Sequence, residues 1–283
     1  MIQNRNILLS VLFFLSGIAQ ISAIPDPKIN KYFSNRDIHF EIHYDTISDL
    51  AIRYLETYIY EEADILVFGL HGAASNAMLY KEIMSDTSLL NKNVRFISLD
   101  RPGYGMSTPG EAITDIEKQA EVVDYVISKF PFKSCILVGH SYGSPIVATY
   151  ASKNQDKNIK LVMLAPAIDP ELERIFPAVN MVNHPKTRQI MPESSQVAAL
   201  ENLVHEAELN EILPIWQTLK IPVYHIHGKL DMVISPKNLE FSKRNINPRF
   251  LTTFLMPDVG HHIVTFKPDE ITDLIIKIID GKI

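Results

Sequence analysis

The sequence predicts an α/β protein in which a mostly parallel, eight-stranded sheet carries helices on both faces. Short and nearly continuous apolar runs alternate with amphipathic helical patterns from residue 63 to the C-terminus, as in parallel strands that are buried on both sides. The composition of 46% hydrophobic and 21% charged residues is that of a globular chain. A single cysteine excludes a disulfide-stapled scaffold.

The elements follow in a regular order. Two runs with alternating polarity, residues 38–44 and 52–60, predict an antiparallel pair at one edge. The remaining strands are predicted at residues 63–70, 94–99, 134–138, 159–164, 221–226 and 250–255. Helices are predicted at residues 76–90 (capped by Ser75), 113–130, 144–151, 194–209, 236–245 and 269–279. Such a sheet binds ligands beyond the carboxyl ends of its strands, so motifs at those ends carry the most information.

The first 23 residues have the layout of a secretory signal peptide. Arg5 precedes an apolar run of about 13 residues, shorter than the about 20 that a membrane span needs. Ser22 and Ala23 supply the small residues of a cleavage site. We therefore expect cleavage after Ala23 and a secreted or periplasmic domain of residues 24–283. The alternative is an uncleaved segment that anchors the protein to a membrane; no later apolar run is long enough for a span.

Charge and glycine usage narrow the function. A net charge of −6 argues against a nucleic-acid partner. The oligomeric state is not predicted. Eleven glycines in 283 residues fall below the roughly 7% of ordinary chains. Seven of these glycines stand in five loops that the next paragraphs describe, at positions 72, 103, 105, 139, 143, 228 and 260.

The first loop of interest is Gly139-His140-Ser141-Tyr142-Gly143, a G-x-S-x-G motif between a predicted strand and a predicted helix. A serine in that context sits on a sharp turn that projects its hydroxyl above the sheet. The flanking glycines avoid clashes with the neighbouring backbone, and the helix N-terminus adds a positive dipole. Ser141 is therefore the predicted nucleophile.

A serine hydroxyl needs a base, and the base needs an orienting acid. In this architecture the three residues follow in the order Ser, Asp or Glu, His. Asp231 lies just past the strand at 221–226, and His261 lies just past the strand at 250–255. Neighbouring parallel strands place these ends side by side, so Ser141, Asp231 and His261 form the predicted catalytic triad.

Rival residues exist for two of these roles. Asp169 is the alternative acid, whereas Asp258 stands only three residues before His261 and is predicted to shape the turn. His262 is the alternative base, but His261 directly follows a glycine that permits a tight loop. Only one of two consecutive histidines can face the serine.

The tetrahedral intermediate of acyl transfer needs two donors for its oxyanion. One predicted donor is the backbone N–H of Tyr142, the residue after the nucleophile. The other is predicted in the loop after the strand at 63–70, at Ala73 with Ala74 as the alternative. His225 and His227 form an H-x-H pair, but no third ligand is evident, so neither a metal nor an organic cofactor is expected.

These motifs resemble those of the α/β-hydrolase family over nearly all of residues 24–283. The carrying segments are His71-Gly72-Ala73-Ala74-Ser75, Asp100-Arg101-Pro102-Gly103-Tyr104-Gly105-Met106-Ser107, Gly139 to Gly143, His227-Gly228-Lys229-Leu230-Asp231 and Gly260-His261. The second segment is similar to the family's D-x-P-G-x-G-x-S loop. The family commonly has a proline seven residues after its catalytic histidine, and Pro268 stands there relative to His261.

The resemblance implies an α/β-hydrolase fold with a short cap insertion, at about residues 168–213, which we call the cap segment. It also implies a serine hydrolase that acts on a small-molecule ester or other acyl substrate. Ester hydrolysis is the first expectation, because this reaction requires the fewest groups beyond these residues. Hydrolysis of amides, lactones or carbon–carbon bonds stays open, as does a noncatalytic ligand-binding homologue, because the fold supports many chemistries. The nature of the substrate is not predicted.

Overall fold

The computed structural model describes residues 23–176, 179–180, 182 and 184–283. The predicted signal peptide, residues 1–23, lies outside the described residues apart from Ala23. Within the described ranges, no helix is long and apolar enough to cross a membrane.

The described strands form one eight-stranded sheet in the order β1-β2-β4-β3-β5-β6-β7-β8. Their bounds are β1 His39–Ile47, β2 Leu50–Tyr58, β3 Ile65–Leu70, β4 Val94–Leu99, β5 Ser134–His140, β6 Ile159–Leu164, β7 Val223–Gly228 and β8 Leu251–Met256. β2 is antiparallel to both β1 and β4, whereas the other neighbours are parallel. The predicted mostly parallel sheet with an antiparallel edge is confirmed.

Helices cover both faces of this sheet. Their bounds are α1 Asp26–Phe33, α2 Lys81–Met84, α3 Thr87–Leu90, α4 Ile116–Ser128, α5 Gly143–Lys153, α6 Pro185–Arg188, α7 Glu193–Glu211, α8 Ile215–Thr218, α9 Asn238–Asn245, α10 Ile263–Phe266 and α11 Pro268–Ile279. Short 3-10 helices occupy Ala77–Tyr80 and Pro170–Leu172. Two large apolar clusters pack against the sheet, α4 and α5 contributing to one, and α1 and α11 to the other.

Local sequence explains where the regular elements begin. The Asp115 carboxylate accepts a hydrogen bond from the Lys118 backbone N–H and caps α4. α11 begins at Pro268, a residue suited to the first helical turn, and buries isoleucines spaced four and three residues apart. β3 and β5 are buried along nearly their whole length because they lie at the centre of the sheet.

One predicted helix is wrong. Instead of a single helix over residues 76–90, the chain forms a 3-10 turn followed by the short helices α2 and α3. The Asp86 side chain accepts hydrogen bonds from the backbone of Ser88 and Leu89, which starts a new helix inside the predicted one. The cap of the first turn is Asn76, not Ser75, since its side chain accepts the Met78 N–H at 3.0 Å.

The connection between β6 and β7 contains the cap segment. α6 and α7 lie in it, and α7 is the longest described helix in the chain. Phe176 and Met191 pack with Val179, Val182 and Ala199 in a small apolar cluster separate from the two large ones. These side chains therefore pack within the cap segment itself, and the main domain is contacted through other residues.

Candidate active site

The candidate site lies at the point of the sheet where successive strands are added on opposite sides. β3 is hydrogen-bonded to β4 on one side and to β5 on the other, so the loops after β3 and β5 leave in opposite directions. A crevice at the carboxyl ends of such strands is the usual ligand site of an open α/β sheet. The loop after β3 begins at His71, and Ser141 follows β5 directly.

Ser141 occupies a strained turn between β5 and α5. Its φ is 51°, in the left-handed region that residues with side chains rarely adopt. Gly143 permits the turn, because a Cβ at that position would lie 2.4 Å from the Leu70 carbonyl oxygen. Ser141 therefore stands between the end of a buried strand and the positive end of an eleven-residue helix.

The three predicted triad residues form one hydrogen-bonded line. The Ser141 hydroxyl lies 3.0 Å from Nε2 of His261, and Nδ1 of His261 lies 2.8 Å from Oδ2 of Asp231. The Asp231 carboxylate fixes the tautomer: Nδ1–H donates to the acid, and Nε2 is left to accept the serine proton. This is the geometry that a base-activated serine requires.

Asp231 is surrounded by N–H donors. Its Oδ1 accepts from the backbone of Val233 and Ile234, both at 2.9 Å, and its Oδ2 faces imidazole nitrogens of His261 and His227. Burial raises the pKa of this carboxyl, but the hydrogen bonds from the two imidazoles outweigh burial and hold the pKa well below its usual range. Asp231 is therefore ionised at neutral pH.

The rival acids lie elsewhere. Asp169 starts the 3-10 turn at 170–172 by accepting the Glu171 N–H at 3.0 Å, and its other oxygen lies 3.2 Å from Arg244. Asp258 is exposed, lies in a turn and pairs with Lys267 at 2.7 Å. The ring of His262 packs edge-on against that of His261.

His140, inside the G-x-S-x-G motif, is hydrogen-bonded to the backbone of the predicted base, His261. Its Nε2–H donates to the backbone carbonyl of His261 at 2.9 Å, which ties the base-bearing loop to the end of β5. Burial and the neighbouring His261 lower the pKa of His140 to about 3, so this imidazole is neutral at ordinary pH. Sequence reasoning gave His140 no role, because only the fold brings residues 140 and 261 together.

The predicted oxyanion loop lies against Ser141. A Cβ on Gly72 would come within 2.8 Å of the Ser141 Cβ, so glycine lets this backbone pass beside the serine. Ala73 and Ala74 follow Gly72 directly in this loop, and Tyr142 is the residue just before the first residue of α5. Ala73, with Ala74 as the alternative, and Tyr142 stay the predicted backbone donors.

One partner of a buried ion pair, Arg101, is hydrogen-bonded to the first residue of this loop, His71. Nε of Arg101 donates to the His71 carbonyl at 2.9 Å, and the Arg101 backbone N–H donates to Nε2 of His71 at 3.0 Å. Arg101 is paired in turn with Glu201 of α7, at 2.6 Å, and both side chains are almost completely buried. The Tyr104 hydroxyl donates to the same carboxylate at 2.5 Å. Sequence reasoning missed this contact, because the two partners are 100 residues apart.

The apolar surroundings of the base form a groove of about 160 Å³. It is lined by Leu230, Met232, Val233, Gly260, His261, His262 and Phe266. Met232 and Phe266 expose 79% and 70% of their surface, unusually much for large apolar side chains. A larger cavity of about 390 Å³ lies between the cap segment and the loop after β7, and neither Ser141 nor His261 lines it.

The single cysteine and the H-x-H pair of the sequence lie in β5 and β7. Cys135 is buried in β5, and burial raises the pKa of its thiol, so it is not a reactive thiolate. The rings of His225 and His227 are hydrogen-bonded to each other at 3.2 Å.

Comparison with known proteins agrees with the fold. A family model described as the alpha/beta hydrolase fold matches residues 66–205. A membrane phospholipase A described as a bacterial virulence factor superimposes with a TM-score of 0.70 at 18% identity, covering 99% of this chain and 96% of the other. The haloalkane dehalogenase DatA from Agrobacterium tumefaciens C58 also reaches 0.70, at 16% identity, covering 89% and 99%. The chain belongs to the α/β-hydrolase family.

Similarities in sequence are more local. A probable lysophospholipase of Arabidopsis thaliana, BODYGUARD 2, is 29% identical over 135 residues, which are 46% of this chain and 28% of that protein. Protein ABHD8 of Bos taurus is 21% identical over 245 residues, 76% of this chain and 56% of the other. The chain thus matches only about a quarter to a half of the length of these relatives. Two structures with equal TM-scores but different chemistries also show that the fold does not select the reaction.

Proposed function

We propose that the protein is a serine hydrolase that cleaves carboxylic esters through an acyl-enzyme on Ser141. The observation that carries this proposal is the hydrogen-bonded line from Ser141 through His261 to the ionised Asp231. A serine nucleophile attacks an ester carbonyl, and His261 takes its proton while Asp231 holds the imidazole orientation. The backbone N–H groups of Tyr142 and Ala73 receive the oxyanion.

The second half of the reaction uses the same groups. His261 gives its proton to the oxygen of the departing alcohol, and the carbon–oxygen bond of the ester breaks. Water then attacks the acyl carbon as His261 takes its proton. His261 gives that proton to the Ser141 oxygen as the bond between the acyl carbon and this oxygen breaks, so the acid leaves and the serine hydroxyl is restored. The probable-lysophospholipase relative and an esterase among the structural neighbours, from Exiguobacterium antarcticum, are in keeping with ester substrates.

The groove beside His261 supports an apolar alcohol as leaving group. The imidazole must reach the leaving oxygen to protonate it, so the leaving group lies on the His261 side of the serine. That side is lined by Leu230, Met232 and Phe266. Burial of an alkyl chain there adds about 0.8 kcal/mol of binding for each buried CH₂ group.

An active-site label tests the nucleophile. A fluorophosphonate probe is expected to label the wild type and to fail on Ser141→Ala. Ser144→Ala is the matched control: Ser144 is three residues away and donates its hydroxyl to the Gly139 carbonyl at 2.9 Å, so labelling should persist. Labelling of Ser141→Ala at the wild-type level contradicts the proposal, as does an unlabelled wild type.

The leaving-group assignment is tested with two ester series. One keeps an acetyl group and lengthens the alcohol, and the other keeps methanol and lengthens the acyl chain. Phe266→Ser should lower kcat/KM for long alcohols by about three- to tenfold and leave methyl esters unchanged. Ile190→Ser, equally exposed but in the cap segment outside the groove, is the control. A loss confined to the long acyl chains would place the acyl group in the groove instead.

We also propose that the protein acts outside the cytoplasm after cleavage of residues 1–23. The composition of the N-terminal segment supports this proposal. N-terminal sequencing of the protein purified from its natural host should begin at Ile24. A chain that retains Met1 and sediments with membranes would support the anchored alternative.

A further inference from the structure

Three buried side chains continue the proposed triad behind its acid. His225 and His227 stand on the same face of β7, and Ser242 projects toward them from α9; all three residues are completely buried. Nδ1 of His225 lies 2.8 Å from the Ser242 hydroxyl, and Nε2 of His225 lies 3.2 Å from Nδ1 of His227. Nε2 of His227 then lies 3.2 Å from Oδ2 of Asp231.

The hydrogen bonds of this chain have one direction. Nε2 of His227 also faces the Ile234 carbonyl at 3.2 Å, and a carbonyl only accepts, so this nitrogen carries a proton. In a neutral His227, Nδ1 then carries no proton, and it accepts a hydrogen bond from the Nε2–H of His225. Nδ1 of His225 becomes the acceptor for the Ser242 hydroxyl. Each donor points toward Asp231.

We propose that His227 is a positioning residue for the reaction at Ser141, held in its donor tautomer by His225 and Ser242. The proposal rests on the proposed serine-hydrolase function. Oδ2 of Asp231 receives one N–H from each side, from His227 on the core side and from His261 on the substrate side. The carboxylate is thereby kept ionised and unable to rotate away from the base. Successive hydrogen bonds polarise one another, which strengthens the last donor.

Other titratable groups near Asp231 are accounted for. His140, at the end of β5, and His262, on the loop of the base, both have a pKa lowered by burial and by His261, so they stay neutral. Burial lowers the pKa of His225 as well, with His227 and Lys243 as the next influences. A neutral His225 is what the directed chain requires.

The proposal predicts a loss of turnover that depends on hydrogen bonding. His227→Leu removes the donor to Asp231 and should lower kcat for a fully soluble short-chain ester about ten- to hundredfold at unchanged KM. The proton affinity of the Asp231–His261 pair rises when that donor is lost, so the acid limb of kcat/KM should move to higher pH. His227→Gln offers an amide N–H and an amide oxygen, and it should recover activity to within about fivefold of the wild type.

A merely structural histidine would behave differently. Loss of folded enzyme lowers kcat/KM equally at every pH, so the acid limb would stay in place. Unchanged kcat in folded His227→Leu, or equal impairment of His227→Gln and His227→Leu with no shift of the limb, overturns the proposal. Ser242→Ala, at the far end of the chain, should have the smallest effect.

A spectroscopic test does not depend on any variant folding or on activity. Nitrogen NMR of the wild type, labelled in its histidine rings, should show His225 and His227 each protonated at Nε2 and unprotonated at Nδ1 at neutral pH. A doubly protonated His227, or a proton on its Nδ1, overturns the proposal. If the tautomers are as expected but the fluorophosphonate does not label the protein, the proposed hydrolase function is wrong, whereas the direction of the hydrogen bonds from Ser242 to Asp231 is supported.

Discussion

The two sides of Ser141 are supported in different ways. On the acid side, Asp231 and the histidines behind it all belong to β7 and its neighbours, within the main domain. On the oxyanion side, the loop at His71 depends on Arg101, whose buried charge is balanced by Glu201 of the cap segment. The groups that hold Asp231 are therefore part of the main domain. The groups that hold the loop at His71 are complete only while α7 packs against that domain.

The difference has a physical basis. The acid side is made of imidazoles and backbone N–H groups around one carboxylate, so the buried carboxylate has several hydrogen-bond partners at short range. The oxyanion side buries a full positive charge, which is tolerated only beside an opposite charge. Changes in the cap segment are thus expected to reach the oxyanion donors more readily than the triad.

The largest expected effect comes from breaking the acid side. Asp231→Asn keeps the size of the side chain but no longer fixes the His261 tautomer, and kcat should fall by about 10⁴-fold. Steady-state kinetics on a soluble ester gives the number. Asp169→Asn is the matched control, and its kcat should remain within severalfold of the wild type. The reverse outcome would make Asp169 the acid.

Loss of the Arg101–Glu201 ion pair on the oxyanion side should mainly lower the stability of the fold. Glu201→Gln leaves Arg101 buried without a counter-ion, which should lower the free energy of unfolding by about 3–5 kcal/mol in urea titrations. The double variant Arg101→Met/Glu201→Leu removes both charges, and it should regain part of that stability.

The same double variant separates docking from catalysis. It lacks the Arg101 guanidinium that holds the His71 carbonyl, so its kcat should stay low although its stability recovers. A double variant with both wild-type stability and wild-type kcat would show that Arg101 does not position the oxyanion loop. Thermal unfolding and steady-state kinetics on the same preparations decide between the outcomes.

Each side of Ser141 contains a buried histidine that makes the stability of the fold depend on pH, and this effect is expected to be smaller than the two above. Burial lowers the pKa of His140 to about 3 and also lowers that of His71 well below its ordinary value. The unfolded chain therefore binds more protons than the folded one below pH about 6.5, so stability is complete above that pH and is lost as pH falls. Each such histidine should contribute about 1 kcal/mol for each pH unit over this range.

Replacing one of these histidines measures its share. His140→Gln keeps an N–H for the His261 carbonyl but does not titrate, so its unfolding free energy should fall less steeply with acid than that of the wild type. Equal slopes for the two proteins in urea titrations from pH 7 to pH 5 would exclude His140 as a contributor.

The smallest effect is expected far from both sides. Lys133 pairs with Asp64 at 2.9 Å on the surface, and both side chains are largely exposed. Lys133→Ala should change the free energy of unfolding by less than about 1 kcal/mol and leave kcat unchanged. A larger change would mean that surface charges contribute to the site, and the contrast with the buried pair would weaken.

Much of the architecture was readable from local patterns. Buried parallel strands appear as apolar runs, and a motif at a strand end must face the crevice, so Ser141, Asp231 and His261 could be proposed together. The helix predicted over residues 76–90 was wrong because an aspartate inside the apolar pattern caps a second helix. Apolar periodicity does not register such a side-chain-to-backbone hydrogen bond.

The sequence by itself determined the fold class and the residues of the proposed chemistry, because both follow from spacing along one chain. Only the tertiary structure decided what surrounds them: the His140 bond to His261, the Arg101–Glu201 pair and the directed chain behind Asp231. These contacts are decided by which face of a strand or helix meets which partner across the fold. Their partners include residues about 100 positions apart, a separation at which no local pattern carries information.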